Sequence, residues 1–236
     1  MSTITTVLFD LDGTLLPMDQ DLFVKTYFSG IAKKVAPLGY EPEKLIKTIW
    51  TGTAAMVKNT GEINNEEAFW LAFAAAYGED SLKDIPAFDE FYLNEFEDIK
   101  NVCGYTPKAA EVIRLCKEKG LRTVLATNPI FPSVATVART RWAGLSVDDF
   151  ELYTTYENSY HCKPNPDYYR DILNTLGLEP SECLMVGNDA HEDTVAETLG
   201  MKVFLLTDCL INKHNADISK YPNGDFDALI DYIGKL

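Results

Sequence analysis

The sequence has few of the residues that build disulfide scaffolds, zinc sites or membrane spans. Its 236 residues include five cysteines, an odd number with wide spacing and no CxxC pair. We therefore expect free thiols in a reducing compartment, and neither a disulfide framework nor a zinc site. Only three histidines are present, and no two have the spacing of metal ligands on a helix. The most apolar run, residues 69–77, is far shorter than the roughly 20 residues that cross a bilayer, so we expect no membrane span.

Positive charge is scarce as well. The chain has 21 Lys and Arg against 36 Asp and Glu, which gives a net charge of −15 at pH 7. That field would repel a polyanion, so we expect no nucleic-acid partner. A small anion can still bind through a local device such as a metal ion or one well-placed lysine. The N-terminus lacks a basic start, and Asp10 and Asp12 interrupt its apolar stretch, so no signal peptide is predicted and we expect a cytoplasmic protein.

Hydrophobic periodicity divides the chain into a helical stretch and a stretch in which strands and helices alternate. Residues 4–11 make a nearly continuous apolar run, which predicts a strand buried on both faces. From Thr106 onward the alternation is typical of βαβ units and a parallel sheet. In this part we predict strands at 121–126, 150–155, 182–186 and 202–206, and helices from Pro107 to Gly120 and at 133–143, 167–176, 191–199 and 226–233. The first strand is expected to join the same sheet, giving one α/β core with a helical insertion.

Residues 18 to about 100 are predicted to form four amphipathic helices that bury their apolar stripes on each other. Pro42 can open the second helix, and Asn64 with Glu67 resembles a capping box at the start of the third. The fourth helix has one apolar face, made of Phe88, Phe91, Tyr92, Phe96 and Ile99. Thr51-Gly52-Thr53 lies between two of these predicted helices, and we expect a plain loop there, with a segment that faces the site as the alternative.

Two carboxylates stand directly after the first strand. Asp10 and Asp12 belong to Phe9-Asp10-Leu11-Asp12-Gly13-Thr14, and the carboxyl ends of parallel strands open into the ligand crevice. Burying a carboxylate costs several kcal/mol unless it is paired or bound to a cation. Hard oxygen ligands without nitrogen or sulfur favour Mg²⁺ over Zn²⁺. The alternative is an ordinary Asp-Gly turn in which Asp12 only caps the backbone.

Three further segments carry polar residues at comparable positions. Thr127 and Asn128 follow a predicted strand and can hold a phosphate oxygen, or they can simply cap the next helix. Lys163 lies in a proline-restricted turn and can neutralise a phosphate, or it is a surface lysine. Asp189 and Asp193 are four residues apart, which suits one face of a helix or capping of its dipole. If these segments meet in one crevice, the set suits phosphoryl transfer.

These motifs together resemble the haloacid dehalogenase superfamily. The likeness spans nearly the whole chain through the DLDGT element, Thr127-Asn128, Lys163-Pro164, and Asp189 with Asp193, in the family's order. The helical insertion is similar to the cap of the phosphoglycolate phosphatase-like and β-phosphoglucomutase-like branch. The resemblance implies a Rossmann-like core of residues 1–16 and 104–236, a four-helix cap of residues 17–103, and a Mg²⁺-dependent phosphatase.

The resemblance also implies a role for each motif residue. Asp10 would be the nucleophile that forms an aspartyl-phosphate, and Asp12 would protonate the leaving alcohol and then activate water. Thr127, the Asn128 backbone and Lys163 would hold the phosphate, and Lys163 would also offset charge on Asp10. Mg²⁺ would bind Asp10, the main-chain carbonyl of Asp12, and Asp189. Asp193 would support the metal site, with Glu192 as the alternative, because Asn188 separates the glycine from the first acid where the family usually has none.

The expected substrate is a small phosphorylated metabolite, and the expected assembly is a monomer or a homodimer. A phosphosugar mutase shares every core motif, so it stays open as an alternative activity. A non-catalytic phospho-ligand-binding or signalling protein is the other alternative, and the intact set of Asp10, Asp12, Lys163 and Asp189 argues against it.

Overall fold

A parallel β-sheet forms the centre of the protein. The computed structural model describes residues 3–236. Its five strands have the spatial order β2-β1-β3-β4-β5, and every pair of neighbours is parallel. The strands β1 to β5 are Thr6–Phe9, Arg122–Leu125, Cys183–Gly187, Lys202–Leu206 and Asn223–Gly224. The α/β fold and the Rossmann-like sheet are therefore confirmed.

Eight α-helices accompany the sheet within residues 3–236. The helices α1 to α8 are Gln20–Val35, Pro42–Val57, Asn65–Tyr77, Ile85–Leu93, Pro107–Glu118, Ser133–Trp142, Pro166–Leu176 and Phe226–Gly234. Helices α1 to α4 and the 3-10 helix Glu95–Val102 lie between β1 and β2 in the chain, and we refer to residues 17–103 as the helical segment. The predicted helical insertion is present.

The start of each of the first three helices is determined locally. The Asp19 carboxylate accepts a hydrogen bond from the Leu22 amide, and the Glu41 carboxylate accepts two from the first turn of α2. Asn64 caps α3 by accepting from the Glu67 amide, as its position before an acidic turn predicts. The fourth predicted helix is interrupted. Asn94 has φ −121° and ψ −73°, so α4 ends there and the apolar face continues on the 3-10 helix.

Strand β1 is buried on both faces, as its apolar run predicts. Val7 and Phe9 pack into a large cluster that continues into the helical segment, whereas Leu8 packs into a second cluster under α7. All three side chains are fully buried. Since β1 also lies between β2 and β3, the residues that follow it emerge in the middle of the sheet's carboxyl edge. This position decides where Asp10 stands.

Three of the predicted elements are wrong. Residues 150–155 run beside β2, and the amides of Glu151 and Thr154 donate to carbonyls of β2. Their regular pairing is limited to the isolated bridge between Leu125 and Tyr153, so the predicted regular strand is absent. The Thr154 hydroxyl also donates to the Thr127 carbonyl at 2.6 Å. The predicted helix 191–199 is reduced to the 3-10 helix Thr194–Leu199.

The third error concerns Thr51-Gly52-Thr53, which lies inside α2 and is not a loop. Gly52 lets α2 approach α3, because an added Cβ there would lie only 2.5 Å from Cδ2 of Phe69. Packing between the two helices therefore overrides the weak helix propensity of this tripeptide.

Two predictions about what is absent can be compared with the structure. All five cysteines are free thiols, as their spacing predicts. Within residues 3–236, no helix is both long enough and apolar enough to cross a membrane.

We expect Gly52→Ala to destabilise the protein although alanine favours helices. The gain in helix propensity is about 1 kcal/mol, whereas overpacking against the Phe69 ring costs about 1–3 kcal/mol. Urea unfolding followed by circular dichroism measures the difference. Thr51→Ala, at the exposed neighbouring position of α2, is the control and should change stability by less than about 0.5 kcal/mol. A Gly52→Ala protein more stable than the parent would contradict the packing assigned to Gly52.

Candidate active site

The candidate site begins where β1 ends. The Asp10 amide donates to the Val186 carbonyl at 2.9 Å, so Asp10 still belongs to the edge of the sheet. A turn follows in which Gly13 has φ +83°, a conformation that glycine adopts without strain. A Cβ on Gly13 would lie 2.3 Å from Nδ2 of Asn188. Glycine is therefore required both by the turn and by the close approach of the segment after β3.

A hydroxyl group connects the ends of β1 and β3. The Thr14 Oγ1 atom lies 3.2 Å from Oδ2 of Asp10 and 3.0 Å from Oδ1 of Asn188, so it can donate to either. The Asn188 amide nitrogen in turn donates to the Cys209 carbonyl at 2.8 Å. Asp10, Thr14 and Asn188 are all buried. The orientation of the Asp10 carboxylate is therefore determined from one side by a fixed hydrogen-bond network.

Lys163 holds Asp10 from the other side. Its Nζ atom lies 2.9 Å from Oδ1 of Asp10 and 2.7 Å from Oδ1 of Asp193, and the lysine is only 1% exposed. The Lys163 amide donates to Oδ1 of Asn128, which orients the turn before α7. The prediction that this turn directs Lys163 towards a charged partner agrees with this geometry, and the surface-lysine alternative is wrong.

The one positive charge of Lys163 does not balance the two carboxylates of Asp10 and Asp193. Burial raises the pKa of Asp10 to about 7 against the opposing charge of Lys163, and Asp193 and Asp12 add to the rise. Burial alone would lower the pKa of Lys163, but the carboxylates of Asp10 and Asp193 hold it well above its ordinary value. Lys163 is thus a permanent cation shared by two carboxylates, and a further cation would favour ionised Asp10.

Asp12 is held by a buried arginine. Oδ2 of Asp12 accepts a hydrogen bond from Arg139, which lies on α6 and is fully buried. The same guanidinium donates to Thr136 at 3.3 Å and lies 4.5 Å from the centroid of the Phe131 ring. Oδ1 of Asp12 is buried and has no hydrogen-bond partner among the described residues. One carboxylate oxygen is therefore fixed by an ion pair, and the other is buried without a hydrogen-bond partner among the described residues.

The acidic segment after β3 folds back on itself. The Asp193 carboxylate accepts from the Asp189 amide at 2.9 Å, and Oδ1 of Asp189 accepts from the amides of His191 and Glu192. This arrangement needs Gly187, since a Cβ there would lie 2.0 Å from Asp193. Spacing alone predicts that Asp189 and Asp193 share a face, and the structure brings them into contact.

Glu192 connects this segment to the end of β2. Its Oε2 atom accepts from Nδ2 of Asn128 at 2.9 Å. Burial raises the pKa of Glu192 to about 7, although Lys163 lowers it.

A cavity of about 400 Å³ separates the helical segment from the carboxyl ends of the strands. Six of the predicted site residues line it, namely Asp10, Asp12, Thr127, Asn128, Asp189 and Asp193. Lys163, the seventh, is buried beneath this surface with Nζ against Asp10. The opposite wall comes from the helical segment and is mostly aromatic. All seven residues predicted from the sequence are thus gathered at one end of one cavity.

Comparison with known proteins identifies the family. The family model described as "haloacid dehalogenase-like hydrolase" matches residues 4–196. The chain belongs to the haloacid dehalogenase-like hydrolases. It is 27% identical over 210 residues to a phosphoglycolate phosphatase of Haemophilus influenzae, with 84% of each chain covered. The crystal structure of a predicted phosphoglycolate phosphatase from Haemophilus somnus covers 98% of this chain and 99% of its own, with 18% identity and a TM-score of 0.60, which shows the shared fold.

One relative is a much larger protein. The chain is 25% identical over 201 residues to the chloroplastic protein SUPPRESSOR OF QUENCHING 1 of Arabidopsis thaliana, and this alignment covers 84% of the chain. The chain spans less than half the length of the first curated relatives it matches, 17% of the Arabidopsis protein and 45% of the CbbY protein of Rhodobacter capsulatus.

The donor atoms of this HAD-like site fit a hard divalent cation. Asp10 and Asp189 supply carboxylates in the same cavity, and Oδ2 of Asp189 has no hydrogen-bond donor among residues 3–236. No three Asp, Glu, His or Cys side chains within that range converge as a ready ion-binding cluster. The oxygen chemistry suits Mg²⁺.

Two residues at this HAD-like site escape prediction from the sequence. Arg139 is one of two arginines in α6, and nothing in the local pattern distinguishes it from Arg141, which is exposed. Asn188 departs from the family pattern, and nothing in the sequence indicates that its side chain contacts Thr14. Both contacts join segments that are more than a hundred residues apart in the chain, so no local signal marks them.

We expect Lys163→Met to destabilise the protein by about 3–5 kcal/mol, because it leaves Asp10 and Asp193 buried without their shared cation. Urea unfolding measures the loss. Lys213→Met, the same substitution at an exposed residue that lines the cavity, is the control and should cost less than about 0.5 kcal/mol. If Lys163→Met costs no more than the control, the ion pairs do not hold the site together.

Proposed function

We propose that the protein is a Mg²⁺-dependent phosphatase that hydrolyses a small phosphomonoester through an aspartyl-phosphate on Asp10. The observation that carries this proposal is the Asp10 carboxylate itself. It stands at the end of β1, an interior strand of the sheet, lines a cavity large enough for a small molecule, and is oriented by Thr14 and Lys163. Membership of the HAD-like hydrolases and the phosphatase names of several relatives support the same reading.

The first half of the proposed reaction uses both carboxylates of the motif. An oxygen of Asp10 attacks phosphorus, and the bond from phosphorus to the leaving oxygen breaks. Asp12 gives its proton to that oxygen, so the product leaves as a neutral alcohol. Arg139 holds Oδ2 of Asp12, which makes the unpartnered Oδ1 the oxygen that carries the proton. Lys163 and the polar groups of Thr127 and Asn128 lie where they can offset charge on the phosphoryl group.

The second half reverses the role of Asp12. Its carboxylate takes a proton from a water molecule, the water oxygen attacks phosphorus, and the bond to Asp10 breaks. Inorganic phosphate and the original Asp10 carboxylate result. Bound Mg²⁺ would supply charge neutralisation to the phosphoryl oxygens. Asp10, the Asp12 carbonyl and Asp189 are the proposed ligands, with Asp193 or Glu192 as support.

The phosphosugar mutase alternative has less support. A mutase must hold a phosphorylated sugar so that a second position reaches Asp10, and a second phosphate needs cations. The residues of the helical segment that line the cavity include no lysine or arginine.

For the same reaction scheme we propose that the helical segment, residues 17–103, acts as a cap over a core of residues 1–16 and 104–236. Cytoplasmic location and a monomeric or homodimeric state stay predictions from the sequence.

We expect Asp10→Asn to abolish hydrolysis of every phosphomonoester that the parent protein cleaves with Mg²⁺. The amide cannot act as the nucleophile, and the expected loss of kcat is at least about 10⁴-fold. A panel of phosphate esters, assayed for released phosphate with Mg²⁺ and with a chelator, provides the measurement. Asp148→Asn, at an exposed acidic position in the short 3-10 helix Val147–Asp149 after α6, is the matched control and should retain full activity. Turnover by Asp10→Asn at the parental rate would remove Asp10 from the mechanism.

The two acids after β3 can be separated by their metal dependence. We expect Asp189→Asn to raise the Mg²⁺ concentration needed for half-maximal activity by more than about 10-fold, since it removes a proposed ligand. Glu192→Gln should change it much less, because the Glu192 carboxylate is already engaged by Asn128. Titration of activity with Mg²⁺ for both variants makes the comparison. The opposite order would assign the ligand to Glu192.

A further inference from the structure

The wall of the cavity opposite Asp10 has an unusual composition for a site that handles phosphorylated compounds. Eight aromatic side chains of the helical segment contribute to it, namely Phe23, Tyr27, Phe28, Trp50, Phe69, Trp70, Phe88 and Tyr92. Trp50 is 51% exposed and packs against Phe28, with ring centroids 5.4 Å apart. A half-exposed tryptophan at the edge of an apolar cavity is well placed to cover a ring of a bound molecule.

The same wall carries no positive charge. The single charged residue that the helical segment adds to the cavity lining is Asp89. Burial is the main cause that raises the pKa of Asp89, and the nearby Glu157 carboxylate adds to the rise. The helical segment thus adds one acid and neither lysine nor arginine to the cavity lining, on a protein that has a net charge of −15.

Lys213 is the only lysine or arginine among the lining residues, and it belongs to the other side. Lys213 lies two residues after Ile211. The Ile211 amide donates to the Asn188 carbonyl, and Ile211 forms an isolated β-bridge with Asp189. The charge of Lys213 is thus available next to the acidic segment, where the phosphoryl group would bind, and not at the aromatic wall.

We propose that the leaving group of the substrate is an apolar, ring-bearing alcohol without a second negative charge, an inference that rests on the proposed phosphatase function. An anionic substituent such as a carboxylate or a second phosphate would lie against Asp89 and aromatic rings, with no cation to replace its water. An apolar ring at the same place would bury its surface on Phe28, Trp50 and Phe69. The cavity of about 400 Å³ accommodates a phosphate and a ring of one or two cycles.

Benzyl phosphate and phosphoglycolate provide a direct comparison, since both release a primary alcohol and only the second carries a carboxylate. With Mg²⁺ we expect kcat/KM for benzyl phosphate to exceed that for phosphoglycolate by at least 10-fold. Asp89→Lys should narrow this difference mainly by lowering KM for phosphoglycolate, and Asp89→Asn should narrow it less. Equal or higher kcat/KM for phosphoglycolate with the parent protein would overturn the inference while leaving the phosphatase function intact.

Binding without turnover separates the inference from the proposed function. In Asp10→Asn protein, benzyl phosphate should quench the fluorescence of Trp50 and bind at least 10-fold more tightly than phosphoglycolate. The control is the double variant Asp10→Asn with Trp50→Phe, in which most of the quenching should be lost. If phosphoglycolate binds as tightly as benzyl phosphate, or if benzyl phosphate does not bind, the inference is wrong whatever esters are hydrolysed. Tight binding of benzyl phosphate with no hydrolysis by the parent protein would instead reject the phosphatase function alone.

Discussion

One buried cation organises the chemistry of this protein. Lys163 lies between the carboxylates of Asp10 and Asp193, and these three residues come from three segments that are distant in the chain. Two buried carboxylates with one lysine leave the site with a deficit of positive charge. Burial is the main cause that raises the pKa of Asp10 to about 7, against the opposing charge of Lys163, and the charge of Asp193 adds to the rise. A divalent cation bound there would meet that deficit. The buried ion pairs thus hold the strand ends together and leave negative charge that such a cation would offset.

The cavity divides its two tasks between two parts of the chain. The carboxyl edge of the sheet contributes charged and hydrogen-bonding groups, each fixed by a partner, as Arg139 fixes Asp12 and Asn128 fixes the Lys163 amide. The helical segment contributes aromatic surface and one acid, Asp89. Reaction chemistry and leaving-group selection can therefore change independently, which is consistent with relatives that share the fold and bear different names.

Local sequence signals account for much of this architecture. The apolar run before Asp10, the Asn64 cap and the proline-restricted turn at Lys163 each depend on residues close in the chain, and each is found as expected. Features set by distant contacts could not be read in this way. The contact of Arg139 with Asp12 joins α6 to the first turn after β1, and the contact of Thr14 with Asn188 joins that turn to the segment after β3.

Two further differences between the predicted and the observed elements, at β5 and at Thr51-Gly52-Thr53, also arise because no local pattern marks them. Strand β5 is only two residues long and has no periodicity to detect. Thr51-Gly52-Thr53 has weak helix propensity, yet it is helical because Gly52 packs beneath Phe69. The roles of the site residues depend on charge and position in three dimensions, and the family resemblance, not periodicity, assigned them.

The central claim is that Asp10 becomes covalently phosphorylated during turnover. Rapid acid quench after mixing the parent protein with a labelled phosphomonoester and Mg²⁺, followed by peptide mass spectrometry, tests it most directly. The account predicts an acid-stable, hydroxylamine-sensitive phosphoryl group on the peptide that contains Asp10, formed and lost at rates compatible with turnover. Phosphate release without any protein-bound label, or a label on another residue, would contradict it.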